Sequence, residues 1–311
     1  MARIFFERAP SGFRTVRGEV VKKIQRSLKS QGFDPGDIDG VYGDRTERAL
    51  IAYQQAMGIA VSGKVDEKSW GRLVAPQLPT IYDRCLQLTA DFEGHGFSKL
   101  EGNFDGAGLT WGIIGFTLKN GEIQAILKEV QAQHPQLLDD AFGSLKAKLA
   151  SVLAGSLAKQ MQWAQDITIG RLGTKVLPEW AEAFSRLGDF PEVQVIQLNR
   201  VQRYWDIASG DANAFNLQSE IGVSLCFDIA VQNGGIDTTE AQRIRKKILE
   251  SPPTTEQDCR VIIANVVAEN SKPQWVEDVR RRKLTIATGR GEVHGTHYAI
   301  QSWGIDEAPL L

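Results

Sequence analysis

The chain has 311 residues, 42% of them hydrophobic, 8% aromatic and 24% charged, with a formal net charge of −2. That balance suits about two packed domains of roughly 100–200 residues each and excludes a disordered chain. No apolar run reaches the ~18 residues a membrane span needs, and three cysteines, Cys85, Cys226 and Cys259, are too scattered for a disulfide framework. Each cysteine sits beside apolar residues and is expected as a buried free thiol.

Met1-Ala-Arg-Ile-Phe-Phe-Glu-Arg8 is broken by charge too early for a signal peptide. Synthesis in the cytoplasm is therefore expected, with a separate route to any target outside. Residues 1–17 form an arm carrying Arg14 and Arg17. Residues 1–76 hold 13 Lys and Arg against 9 Asp and Glu, a mildly basic balance that suits an anionic polymer.

Val20, Val21, Ile24 and Leu28 recur at helical spacing, and Gly32 ends that helix. Residues 33–43 are a dense run of turn formers. Asp44 is expected to cap a second helix, with Glu47 in the capping-box position and Ala49, Leu50, Tyr53 and Met57 facing inward. Gly58 stops it. A third short helix starts at Asp66 and buries Trp70 and Leu73.

The string Ile38-Asp-Gly-Val-Tyr-Gly-Asp-Arg-Thr46, then Ala49-Leu-Ile-Ala-Tyr-Gln54, Gly58, Gly63-Lys-Val-Asp66 and Trp70 resembles the three-helix peptidoglycan-binding domain of many cell-wall hydrolases. The resemblance spans about residues 18–75. It implies a binding module rather than an enzyme, peptidoglycan as partner, and a shallow groove at Asp39, Tyr42, Gly43 and Arg45. The residues alone leave another role open: Asp39 and the glycines shape the turn, and Tyr42 belongs to the core.

Ala75-Pro-Gln-Leu-Pro79 reads as a linker centred on residues 76–79, extended and semi-rigid because two prolines disfavour helix. Thr80 caps the next helix with Asp83 three residues on. Ile81, Cys85, Leu88 and Phe92 make its apolar stripe, and Gly94 and Gly96 end it just after Glu93. A carboxyl in the last turn faces the negative end of the helix dipole, and apolar neighbours desolvate it. Such a position suits a general acid for a glycosidic oxygen, which must hold its proton, and the spacing alone equally leaves Glu93 as a solvated residue at a helix end. His95, two residues on, is open to two readings, a group that tunes the cleft or an exposed side chain.

Glu93, followed by Asp105-Gly-Ala-Gly-Leu-Thr-Trp-Gly-Ile-Ile-Gly-Phe116, is similar to the signature of the chitosanase-type glycoside hydrolases of family 46. Their pattern is a Glu at a helix end, then Gly-Asp-Gly-Arg-Gly-Tyr-Thr-x-Gly-Ile-Ile-Gly-Phe. The resemblance implies a lysozyme-like, mostly helical fold and an inverting mechanism. In that mechanism Glu93 is the general acid, Asp105 activates water, and Thr110 and Thr117 help to hold it. The sequence departs from the pattern at Ala107, where the family has Arg, and at Phe104, where it has Gly. The gap between the acids is shorter, which keeps Glu101 as a rival second carboxylate. Asp91, Glu101 and Glu122 make no acidic run of the kind a polycationic chitosan would need.

Residues 122–217 show helical periodicity around Ile126–Val130, Leu145–Leu153 and Trp180–Leu187, with breaks at Pro135, Gly155, Gly173, Pro178 and Pro191. Four or five helices are expected, with Trp163, Trp180 and Trp205 in the core. Ile221–Gly235 is a strongly apolar helix containing Asp228, and a buried acid needs a partner. The run Val279-Arg-Arg-Arg282-Lys supplies candidates. The chitosanase-type resemblance implies that Asp228 joins an arginine network behind the catalytic residues, through Arg281 or Arg282. His294-Gly-Thr-His297 lacks companion ligands, so neither a metal nor a cofactor is expected. No phosphate loop or basic–aromatic pattern points to nucleic acid.

Together these readings predict a mainly α chain, a small three-helix binding domain at 18–75 and a lysozyme-like α+β domain at 80–311 with a small β region near the active site. The expected function is a monomeric, endolysin-like peptidoglycan glycan-strand hydrolase of the muramidase type. Delivery by a holin or a secretion apparatus would take it to the wall. A chitosanase with a wall anchor, a lytic transglycosylase and a non-catalytic wall-binding protein remain open.

Overall fold

The computed structural model describes residues 3–94 and 96–310. The chain divides into two compact units: Met1–Phe92 with Tyr204–Leu311, and Glu93–Arg203. It is mainly α, with short strands between helices.

The first unit opens with β1 (Ile4–Phe6), then α1 (Glu19–Ser30), α2 (Asp44–Ala56), β2 (Val65–Asp66) and α3 (Glu67–Leu73). β1 and β2 pair antiparallel, Phe6 opposite Val65. Val21, Ile24 and Leu28 of α1, Leu50 and Tyr53 of α2, and Trp70 and Leu73 of α3 are buried together. Two buried glutamines fasten the loops to these helices. Gln25 of α1 donates to Asp39, Val41 and Thr46 and accepts from the Gly40 amide. Gln54 of α2 donates to Lys64 and Ser69 and accepts from the amides of Ser62 and Gly63. Asp66 caps α3 as expected, accepting from the Ser69 amide. Asp44 does not cap α2: Gly43 holds the cap position and Asp44 is the first helical residue, where its charge faces the positive end of the dipole.

α4 (Ile81–Glu93) starts with a reciprocal cap. The Thr80 amide donates to Asp83 and the Asp83 amide to the Thr80 hydroxyl. Its buried face is Cys85, Leu88, Thr89 and Phe92.

In the second unit, β3 (Leu100–Glu101), β4 (Thr110–Trp111) and β5 (Phe116–Thr117) form an antiparallel sheet in that order. Next come α5 (Glu122–Gln133), α6 (Pro135–Phe142), α7 (Lys146–Leu153) and α8 (Leu157–Ile167). The hairpin β6 (Thr168–Ile169) and β7 (Lys175–Val176) leads to α9 (Pro178–Asp189) and α10 (Pro191–Ala214). Residues 122–217 therefore hold six helices among the described residues, not four or five. Pro135, Pro178 and Pro191 each open a new helix at its first position, where a missing N–H costs nothing, so each break is also a start. The core is aromatic: Trp111 stacks edge-on to Phe184 at 5.3 Å, Phe184 to Phe142 at 5.1 Å, and Trp163 to Trp180 at 5.0 Å.

The chain returns to the first unit within α10 and continues through α11 (Glu220–Asn233), α12 (Thr238–Glu250), α13 (Glu256–Glu269) and α14 (Val276–Ala287) to the hairpin β8 (Arg290–Val293) and β9 (Thr296–Ala299). Trp205 is half-buried and packs edge-on to Tyr82 at 5.4 Å. All three cysteines are buried free thiols.

Candidate active site and wall-binding groove

Glu93 is the last residue of α4 and is half-buried between Phe92 and Gly94, whose φ of +63° ends the helix. His95 lies outside the described residues.

The sheet places three further site residues in one row. Glu101 pairs opposite Thr110, and Thr110 opposite Thr117. Directly opposed residues in antiparallel strands point to the same face with Cβ atoms about 4.5–5.5 Å apart. The alternate row, Leu100, Trp111 and Phe116, contributes the buried Trp111 and Phe116 to the core. One face is thus apolar packing and the other carries a carboxylate and two hydroxyls. The Thr110 and Thr117 hydroxyl oxygens are shielded yet make no hydrogen bond among the described residues. Glu101 is half-buried and accepts an ion pair from Lys99 at 2.9 Å.

Asp105 is exposed in the loop between β3 and β4. One carboxylate oxygen accepts from the Ala107 amide at 2.9 Å, an Asx-type turn. Gly106 and Gly108 have φ of +84° and +81°, which explains the Asp-Gly-x-Gly spacing in backbone terms. At Gly108 a Cβ would lie 2.9 Å from the Met161 sulfur. Asn103 pins the loop from the other side. Its side chain accepts from the Gly108 amide and donates to Gln165, and its own amide donates to Thr168.

Sequence reasoning missed Gln197. It is fully buried on α10, donates to the Phe97 carbonyl at 3.0 Å and accepts from the Ile113 amide at 3.0 Å. It therefore ties the segment just after Glu93 to the turn joining β4 and β5. The available signal was a glutamine inside an apolar helical face. Glu122, at the start of α5, is buried and paired with Arg203 at 3.0 Å and Arg200 at 3.7 Å, so it faces cations rather than a substrate.

In the other unit, Asp228 of α11 is fully buried. Arg282 donates to it at 2.7 Å and Lys283 at 2.6 Å, and Thr89 of α4 approaches at 3.4 Å. Burial pushes the carboxyl up, but the two cations and their hydrogen bonds outweigh it and hold the group at about 2. Arg281 does not belong to this cluster. One position earlier on α14 it points outward, pairing with Glu277 at 3.3 Å and Glu292 at 3.1 Å. Lys283, which the sequence left unassigned, takes the second place beside Asp228.

In the N-terminal module, Asp39, Gly43 and Arg45 line a groove of about 280 Å³ together with Asp37, Asp44 and Thr46. Asp39 is held below the usual carboxylate range, first by the Gln25 hydrogen bond and then by the Val41 amide, against desolvation. Tyr42 is not part of this surface. It is fully buried and its hydroxyl donates to the Gly63 carbonyl at 3.0 Å, so it is a core residue, and burial pushes its phenol up.

Residues 17–73 match the family described as "Putative peptidoglycan binding domain", so the chain carries a domain of that family at its N-terminus. Similar solved structures include the family 46 glycoside hydrolase chitosanase of Gynuella sunshinyii in complex with chitotetraose, 15% identical over 71% of this chain and 98% of that one, with a TM-score of 0.48. A second chitosanase complex is 20% identical over 70% and 95% of the two chains, also at 0.48. A Burkholderia AP3 phage endolysin is 22% identical over 70% and 97%, with a TM-score of 0.19. No curated protein matches the sequence.

Proposed function

We propose that the chain binds bacterial peptidoglycan through residues 17–73 and cleaves its glycan strand as a muramidase-type hydrolase. The observation that carries the reading is a peptidoglycan-binding domain on the same chain as the Glu93 and Asp105-Gly-Ala-Gly constellation. Glu93 protonates the leaving glycosidic oxygen. Asp105 uses one oxygen to hold its own turn, which leaves the other to activate water. The shielded hydroxyls of Thr110 and Thr117 are suited to orient that water. Glu101 is the second reading for the base, favoured by its place in the same cross-strand row.

Digestion of purified sacculi, followed by mass spectrometry of the released ends, tests this. Muropeptides with reducing N-acetylmuramic ends are expected. Anhydro ends would make the enzyme a lytic transglycosylase, and reducing sugar from chitosan alone would make it a chitosanase. Glu93→Gln should abolish release, by a factor of about 10² or more, while leaving sacculus pull-down intact. Lysis that survives this change removes Glu93 as the acid. Asp105→Asn and Glu101→Gln then separate the two candidate bases.

A further inference from the structure

The β6–β7 hairpin lies against the Asp105 loop, and its exposed side belongs to no function assigned so far. The Gly102 amide donates to the Thr174 carbonyl at 3.1 Å, and the Asn103 amide to the Thr168 hydroxyl at 3.0 Å. A Cβ built on Gly173 would sit 3.2 Å from the Phe104 Cα, and one on Gly102 would sit 2.6 Å from the Gly173 carbonyl oxygen. The close backbone approach and these hydrogen bonds join the hairpin and the loop into one continuous lip.

What the lip presents is unusual for a solvated surface. Phe104 is 48% exposed, Ile169 36% and Leu172 78%. Ile169 pairs opposite Lys175, so these two share the outer face, while Val176, opposite Thr168, is buried. Arg171 and Lys175 are exposed and have no carboxylate partner among the described residues. Lys119, whose amide donates to the Ala107 carbonyl at 3.0 Å, adds a third exposed cation beside the same loop. Asp166, at the end of α8, hydrogen-bonds Gln162, and the Glu101 carboxylate beside the loop is engaged by Lys99.

We propose that this lip is a specificity element for an anionic, N-acylated glycan. Phe104 stacks on the apolar face of one pyranose, and Arg171 and Lys175 receive carboxylates carried on the strand by lactyl groups or stem peptides. The inference rests on the glycan-strand reading above and deepens it. An exposed aromatic ring offers a large rigid contact at little entropic cost. Unpaired cations attract carboxylates and repel the ammonium groups of chitosan. A single element thereby selects wall glycan over a polycation of similar backbone.

The test uses the full chain and two soluble substrates: native wall glycan strands, and the same strands with their carboxylates amidated. Arg171→Glu with Lys175→Glu should raise KM on native strands about tenfold, up to about fivefold per exposed charge contact, with kcat held. On amidated strands the same variant should match the wild type. Phe104→Ala should raise KM about fivefold on both substrates, and Phe104→Trp should restore it. Equal losses on native and amidated strands, or no loss on either, overturn the charge role, and an unchanged KM in Phe104→Ala overturns the stacking role. Calorimetric titration of the same variants with each substrate gives a readout without turnover. If the wild type cleaves neither substrate, the hydrolase reading falls, while a charge-dependent difference in binding still supports the lip and its absence overturns it.

Discussion

Asp228 is the residue whose chemistry is most constrained by its surroundings. A fully buried carboxylate with two buried cations is costly to assemble and more costly to break, because removing one member strands the others. Asp228→Asn should lower the unfolding free energy by about 3–5 kcal/mol, read from denaturant midpoints at neutral pH. The pH dependence has a definite sign. The folded carboxyl, at about 2, lies below its unfolded value. Its contribution, roughly 2–3 kcal/mol, is therefore complete above the unfolded pKa of about 4 and is lost as pH falls toward about 2. The midpoint gap between wild type and Asp228→Asn should narrow over that window and be constant above pH 6. Tyr42 makes the opposite point about roles. Its motif position suggests a ligand contact, yet it is fully buried. Tyr42→Phe should cost about 1 kcal/mol through the lost bond to the Gly63 carbonyl and leave sacculus pull-down unchanged. Weakened pull-down of a variant that remains folded would return Tyr42 to the binding surface.

At the scale of elements, the β4–β5 turn depends on a position that only glycine fits and on one buried amide side chain. Gly112 has a φ of +88°, and a Cβ there would lie 2.5 Å from the Gln197 oxygen. Gln197 in turn closes the loop after Glu93 onto the β4–β5 turn. Gln197→Leu leaves a buried carbonyl and a buried amide unsatisfied, at about 1–3 kcal/mol each. Thermal melting should show that loss. In the folded fraction kcat should fall at least tenfold because Glu93 and the threonine row lose their common anchor. Normal kcat per folded molecule would show that the tether is structural only. The helices themselves were legible because apolar periodicity, glycine stops and the Thr80–Asp83 cap are local signals. The extra helix in 122–217 was not, because α6 and α7 are parted at residues 143–145, where no proline marks the boundary and the apolar periodicity runs on. Glu101, Thr110 and Thr117 were each visible as candidates. Their cross-strand row was not, because register between two-residue strands is fixed by tertiary packing. Gln25, Gln54 and Gln197 escaped for the same reason, since what they hold together is distant in sequence.

At the scale of the molecule, the N-terminal module is built into the first unit and does not hang from a free spacer. The Glu7 amide donates to the Ser302 carbonyl at 3.1 Å, and the Arg14 amide to His297 at 2.6 Å. Arg14 then grips Asp91 of α4 through two hydrogen bonds, at 2.9 and 3.0 Å, while Tyr298 donates to the same carboxylate at 2.7 Å. Below them Arg3 and Arg84 converge on the buried Glu220, with Arg84 at 2.8 and 2.6 Å. Beside the Pro-containing segment at 76–79, Trp70 donates to the Gln77 carbonyl at 2.8 Å, and the arm docks through its own contacts. Cooperative unfolding follows from contacts of this density and burial. Heating the intact chain should therefore melt the module together with the rest of its unit, with amide hydrogen exchange in α1–α3 and calorimetric heat following one transition. Arg14→Ala leaves Asp91 with Tyr298 and a distant Arg17 at 3.8 Å, and should cost about 2–4 kcal/mol. In that variant the module transition should separate and move to lower temperature while chemical activity on soluble glycan persists. A module that already melts separately in the wild type would show instead that the arm contacts are too weak to couple wall binding to α4, the helix that ends in Glu93.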